Sequence, residues 1–255
     1  MGISSLGASA GWGLLIGGSL LLGAAIAAGV SLPKRWAATL SAFGGGILFA
    51  AVALELVPEA DAEAGPALTA FGLTAGTLVY VGTDRWLNRD TKTKEMRRSM
   101  HAAAAGRPMT TRSGEVARGE SIAAGLFVDG VPESIALGLT VAEGEVGIAL
   151  LAGIVVGNLV EAYGAAQPIL AGGRKRRFAL GLLGAIGLAL ALATILGGTV
   201  LADASPELIG TAQAAAAGAV LAVVSIAIIP HAFEEVSGLV ATAIVLGFIG
   251  GYLLS

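Results

Sequence analysis

Long apolar runs fill most of the chain, and short polar or Pro- and Gly-containing connections separate them. The runs cover residues 12–31, 36–57, 66–86, 120–141, 147–170, 177–202, 207–230 and 236–254. Each is close to the ~20 apolar residues that an α-helix needs to cross a bilayer. The pattern predicts an all-α polytopic membrane protein, with residues 1–255 forming one domain of eight transmembrane helices.

Composition supports this prediction and narrows the function. The chain is 55% hydrophobic and only 13% charged, whereas soluble domains carry about 25% charged residues. It has no cysteine, which excludes disulfides and thiolate metal sites. The sequence shows no nucleophile–base set, phosphate-binding loop or basic nucleic-acid patch. We therefore expect a non-enzymatic protein without a prosthetic group or nucleic-acid partner, embedded in a lipid bilayer.

The basic residues predict the orientation. All 15 Lys and Arg fall at or between the ends of spans one and two, three and four, and five and six, while the other connections carry only acids. The positive-inside rule places the basic connections in the cytoplasm. Both termini then lie outside, in a plasma or inner membrane. The basic segment 88–119 is predicted to be a mobile cytoplasmic linker and topological anchor, with metal sensing through His101 a less favoured alternative.

Two spans share an internal pattern. The spacing from Gly46 to Pro58 in span two equals that from Gly218 to Pro230 in span seven, and a titratable residue follows each proline. Because the two spans are predicted to cross in opposite directions, the pattern indicates an inverted repeat, common in secondary transporters. Spans one to three would mirror spans six to eight around a central pair, a 3+2+3 bundle.

The central pair carries acids near the middle of its apolar runs. Asp129 and Glu133 share one face of span four, and Asn158 and Glu161 share one face of span five. A charge at the bilayer centre costs about 2.5–3.5 kcal/mol, so such groups usually mark an ion pathway. Pro132 also frees the carbonyl of residue 128 from its helical partner. Together these oxygens predict a cage for a divalent cation; the alternative is protonated acids that only join the helices by hydrogen bonds.

These motifs resemble those of the ZIP (Zrt-, Irt-like) metal transporters. The segment DGVPES at 129–134 is similar to the family's fourth-span His-Asn-x-Pro-Glu-Gly, and GNLVEA at 157–162 to its fifth-span motif. The ends of span two (LVPEA, 56–60) and span seven (IPH, 229–231) also resemble family features. The resemblance implies a 3+2+3 bundle, elevator-like movement, metal uptake toward the cytoplasm, and metal bridging by Glu133 and Glu161.

The motifs also depart from the family. Asp129 replaces a histidine, Gly130 an asparagine and Val160 a proline, and Gly157 stands at the first-ligand position. Carboxylate in place of imidazole favours harder ions, so Mn²⁺ and Fe²⁺ join Zn²⁺ and Cd²⁺ as expected cargo. Two alternatives stay open: a ZIP-like transporter repurposed for another cation or small substrate, and a non-transporting membrane scaffold.

Further acids and a histidine near the span ends are possible pathway residues: Glu55, Glu59, His231 and Glu234. Glu55 would be an entrance ligand or an acid snorkelling to the interface. His231 would be an exit-side relay or a helix-terminal cation stabilised by the dipole. The glycine-rich faces fit a homodimer without requiring one.

Overall fold

The computed structural model describes residues 3–104, 112–144, 146–200 and 204–255. These residues are almost entirely helical and contain no strand. The helices are α1 (Ile3–Gly29), α2 (Lys34–Ala51), α3 (Val57–Ala104), α4 (Arg112–Glu143), α5 (Ile148–Ala171), α6 (Arg176–Val200), α7 (Pro206–Val223) and α8 (Ile229–Leu254). A π-helical turn joins α2 to α3 at Val52–Leu56, and another joins α7 to α8 at Val224–Ile228. The predicted all-α class is confirmed.

Six of the described helical segments are long and apolar enough to cross a membrane. One of them, Arg35–Trp86, has 52 residues. At about 1.5 Å per residue its length exceeds twice a hydrocarbon core of about 30 Å. The last apolar helix, Gly238–Leu254, is shorter than the six. The chain is therefore a helical membrane protein.

The 52-residue segment turns back on itself at Gly65. This residue has φ 75° and ψ 166°, a conformation open essentially only to glycine. Before the break Ala64 lies against Gly210, and after it Gly72 lies against Thr211. A straight helix would separate residues 64 and 72 by about 12 Å along its axis, so the break must reverse the chain. Val236 (φ −147°, ψ 50°) interrupts α8 in the same way that Gly65 interrupts α3, by leaving helical dihedral angles.

The helices pack in two recognisable groups. α1, α4, α5 and α6 contact one another, whereas α2 packs along α8 and α3 along α7. Contacts of α2 with α5 and of α4 with α7 join the groups. Small residues permit the close approaches: a Cβ at Gly17 of α1 would lie 2.8 Å from the carbonyl oxygen of Gly187 of α6. Such glycine contacts are typical of membrane helices, where van der Waals packing drives association.

The outer surface carries large apolar side chains. Leu14, Val79 and Leu253 are 66%, 70% and 75% exposed. A soluble monomer rarely presents so continuous an apolar surface. These side chains are the surface that a bilayer would cover.

Helix extends into both ends of the segment 88–119 that we predict as a linker. α3 continues to Ala104 and α4 begins at Arg112, while residues 105–111 and the His101 side chain lie outside the description. The prediction relied on the lack of apolar periodicity. Lys, Arg, Glu and Met nevertheless have high intrinsic helix propensity, and both ends continue helices that the membrane-spanning parts already nucleate.

Candidate cation site

The central helices bury three of the four predicted ligands. Asp129 and Glu133 on α4 are 8% and 5% exposed, and Asn158 on α5 is 3% exposed. Glu161 on α5 is partly exposed. α4 runs as one helix with Pro132 inside it, as membrane helices often do. Burial of two acids on α4, beside a third on the contacting helix α5, is costly, which points to a function.

A cavity of about 910 Å³ reaches two of these acids. Its lining residues on α4 begin at Ile122 and end at Asp129. Those on α5 include Ala171 at one end and Glu161 and Val160 at the other. Ala171 ends α5 next to one basic connection, and Ile122 begins the apolar, membrane-spanning part of α4 that follows another. The cavity therefore leads from the basic face of the bundle to the Asp129 and Glu161 carboxylates in the middle of their helices.

The structure brings Asp129 and Glu161 to this cavity but does not place Glu133 or Asn158 among its lining residues. The Glu161 carboxylate interacts electrostatically with those of Asp129 and Glu133. Among the described residues, no three His, Cys, Asp or Glu side chains converge closely enough to hold a metal ion. The four predicted ligands thus occupy one region without forming a closed cage.

Tyr80 of α3 completes the inner end of the site. Its hydroxyl donates a hydrogen bond to Oδ1 of Asp129, and the side chain is only 3% exposed. Sequence reasoning missed this residue. The available signal was a tyrosine inside an apolar span, because a buried phenolic O–H needs a hydrogen-bond partner. The contact also joins α3 to α4, which belong to different packing groups.

Two polar atoms next to the acids have no hydrogen-bond partner in the described part of the chain. They are Nδ2 of Asn158 and Oγ of Ser134, both fully buried. An unsatisfied buried group costs about 1–3 kcal/mol. Such groups persist where a ligand or a second conformation uses them.

Glu55 lies on the opposite side of the site from the cavity mouth. Its carboxylate accepts hydrogen bonds from the backbone N–H groups of Ala149 and Leu150, each at 3.3 Å. Both belong to the first turn of α5, whose N-cap residue Gly147 provides no side-chain cap. Glu55 is half-buried, so it caps α5 rather than reaching outward to the interface.

Other polar residues also hold helix ends. Gln167, which lines the cavity, donates to the carbonyls of Ala27 and Val30 at 3.1 and 3.2 Å. These carbonyls belong to the last turn of α1 and the residue after it, where the helical pattern leaves them without partners. Glu59, another predicted pathway residue, instead joins α3 to α7: its carboxylate accepts a 3.4 Å hydrogen bond from Nε2 of Gln213.

The remaining pathway predictions, His231 and Glu234, fall in α8, but their side chains lie outside the description. Comparison of the chain with models of known protein families gives no match, and no curated protein matches it.

Proposed function

We propose that this protein transports divalent cations of the Zn, Mn, Fe and Cd class across a membrane toward the cytoplasm. The observation that carries the proposal is the cavity that leads from the basic face of the bundle to Asp129 and Glu161. Carboxylates deep inside such a cavity attract cations and provide the oxygen ligands that hard divalent ions prefer. Glu133 and Asn158 lie on the same two helices as these acids and would complete the coordination.

The proposed frame is a ZIP-like bundle of eight spans with an inverted 3+2+3 repeat. Each π-helical turn ends two residues before a proline, Pro58 or Pro230. The breaks in helical geometry at Gly65 and Val236 follow these prolines by nearly the same number of residues. In such a repeat α1, α2 and α3 correspond to α6, α7 and α8, and α4 corresponds to α5. The α2–α8 contact then corresponds to the α7–α3 contact, and the α1–α5 contact to the α6–α4 contact. These correspondences support the repeat.

The proposed transport cycle alternates access to the carboxylates between the two sides. The cavity opens toward the basic face, which the positive-inside rule assigns to the cytoplasm. On the other side α2 packs tightly on α5: a Cβ at Gly153 would lie 2.7 Å from Leu48, and Glu55 holds the α5 terminus. The conformation described is consequently the inward-facing one of the proposed cycle. Relative movement of the two packing groups would open the outer side.

Two observations favour a second candidate, transport of another cation or a small organic substrate on the same frame. The cavity volume of about 910 Å³ lies within the ~300–1,000 Å³ typical of small-molecule sites. A bare metal ion needs far less room. The lack of three converging ligands among the described residues points the same way.

The test is cation flux into proteoliposomes that contain a fluorescent chelator, with Zn²⁺, Mn²⁺, Fe²⁺, Cd²⁺ and Ca²⁺ compared side by side. We expect Glu133→Ala and Glu161→Ala to abolish flux, whereas Glu63→Ala, which removes an exposed acid, should leave it intact. Flux that survives both site variants would refute the proposed site. Absence of flux for every ion would favour the second candidate or a non-transporting scaffold.

A further inference from the structure

A groove of about 430 Å³ lies between one end of α4 and the start of α6 on the surface of the bundle. One face of α4 provides its floor through Ala123 and Ala124, and Phe127 forms one wall. Phe178 and Leu182, one helical turn apart on α6, form the other wall. The two phenylalanines are 42% and 37% exposed at the rim. The groove is therefore open, apolar and lined by helix faces that a bilayer would otherwise cover.

Four consecutive exposed basic residues, 174–177, stand at one end of this groove. Arg174 contacts the groove wall: its guanidinium carbon lies 4.7 Å from the ring centroid of Phe178. The same guanidinium lies 4.0 Å from Oε1 of Glu120, the one acid in the lining. Glu120 offsets only one of the four positive charges. The groove thus joins an apolar channel to a net positive end.

We propose that this groove binds one anionic phospholipid of the surrounding leaflet, with an acyl chain between α4 and α6 and the phosphate at Arg174. An aliphatic chain suits the floor and walls, and a guanidinium binds phosphate oxygens with well-oriented, charge-assisted hydrogen bonds. Basic pockets between membrane helices on the cytoplasmic side are suited to such head groups. The 4.0 Å contact with Glu120 is long for an ion pair, and Arg174 remains 53% exposed, so a phosphate has access to it.

A soluble phosphate would use the basic end without the groove. A zwitterionic lipid also carries a phosphate, but its cationic head group would meet the other basic residues of 174–177. Only a lipid with net negative charge matches both the apolar groove and its net positive end. The proposal is independent of what the protein transports, because neither groove wall belongs to the candidate cation site.

The experiment is native mass spectrometry of the full chain released from nanodiscs that contain equal amounts of phosphatidylglycerol and phosphatidylcholine. Two variants address the two parts of the site: Arg174→Gln removes the charge, and Ala124→Trp fills the groove without changing any charge. Matched controls are Arg35→Gln, an exposed arginine at another basic connection, and Ala241→Trp, an exposed alanine on α8. Each variant is first checked for wild-type gel-filtration behaviour.

We expect one phosphatidylglycerol to be retained in preference to phosphatidylcholine. The preference should fall about fivefold in Arg174→Gln, the change expected when one basic residue near a membrane surface is lost. It should fall at least as much in Ala124→Trp and stay unchanged in both controls. Equal retention of the two lipids, an equal loss in Arg35→Gln, or full retention in Ala124→Trp would overturn the proposal. A dimer mass that disappears in Ala124→Trp would instead identify a second copy of the chain as the occupant.

Discussion

The Glu55 carboxylate lies 3.3 Å from the backbone nitrogen of Leu150 and thereby caps a helix that begins nearly one hundred residues later in the chain. The first N–H groups of a helix have no partner within it, and Gly147 provides none from its side chain. A Cβ at Gly147 would lie 2.7 Å from Oε2 of Glu55, so glycine lets the carboxylate approach without a shift of its side chain. The cap fixes α5 against α2 on the side opposite the cavity.

The first prediction concerns this closure. Glu55→Ala removes both hydrogen bonds, and loss of a helix cap costs about 0.5–2 kcal/mol, so the α2–α5 contact should open more often. Because the chain has no cysteine, a single Ala149→Cys reports on access without background. We expect a membrane-impermeant maleimide to label this buried position several-fold faster when Glu55→Ala is added.

Glu63→Ala serves as the matched control, since Glu63 is an exposed acid in the same region of the chain. Equal labelling rates with and without Glu55→Ala would mean that other contacts keep the outer side closed.

The second prediction concerns Tyr80. Tyr80→Phe keeps the ring but removes the donor to Asp129, leaving a buried carboxylate without this partner. We expect the free energy of unfolding to fall by about 1–3 kcal/mol, measured as thermal unfolding in detergent. Tyr252→Phe, at a 61% exposed position, should change little.

Added Zn²⁺ should stabilise Tyr80→Phe more than the wild type, because the hydroxyl no longer competes for Oδ1 of Asp129. A smaller Zn²⁺-induced shift would show that Tyr80 assists cation binding instead.

The sequence is sufficient to predict the helical membrane class and the buried acids, because apolar runs and isolated carboxylates are local patterns. It does not predict which distant group each polar residue meets. Glu55 is read from sequence as a ligand or an interfacial acid, yet its partners are backbone atoms of α5, and backbone N–H groups leave no mark in a sequence. Tyr80 is missed for a related reason, since its partner lies 49 residues away on another helix.

The third prediction tests the carboxylate that stands where the ZIP motif has histidine. Asp129→His replaces an oxygen ligand by imidazole, so the ratio of Zn²⁺ to Mn²⁺ flux should rise. The family's neighbouring asparagine should not improve this variant: a Cβ at Gly130 would lie 2.6 Å from Cδ1 of Leu190. We expect Gly130→Asn to lower the yield of folded protein unless Leu190→Ala makes room. An unchanged flux ratio in Asp129→His would show that Asp129 does not bind the cargo.

The last prediction separates stability from function at Asn158. Nδ2 of this side chain is buried without a partner in the described part of the chain, so Asn158→Leu, which keeps the branched shape, removes an unsatisfied group. The melting temperature should rise, reflecting about 1 kcal/mol or more, while cation flux falls because the site loses an oxygen ligand. Residues kept for function at the expense of stability behave in this way.

Ser134→Ala is the control for Asn158→Leu, because Ser134 Oγ is equally buried and unpartnered within the same described residues but is not a proposed ligand. It should raise the melting temperature and leave flux unchanged. If Asn158→Leu retained full flux, Asn158 would be no ligand, and the cation would be held by the three carboxylates alone. If its melting temperature fell instead, the amide would have a partner in the folded protein, and its burial in the site would need no cargo to explain it.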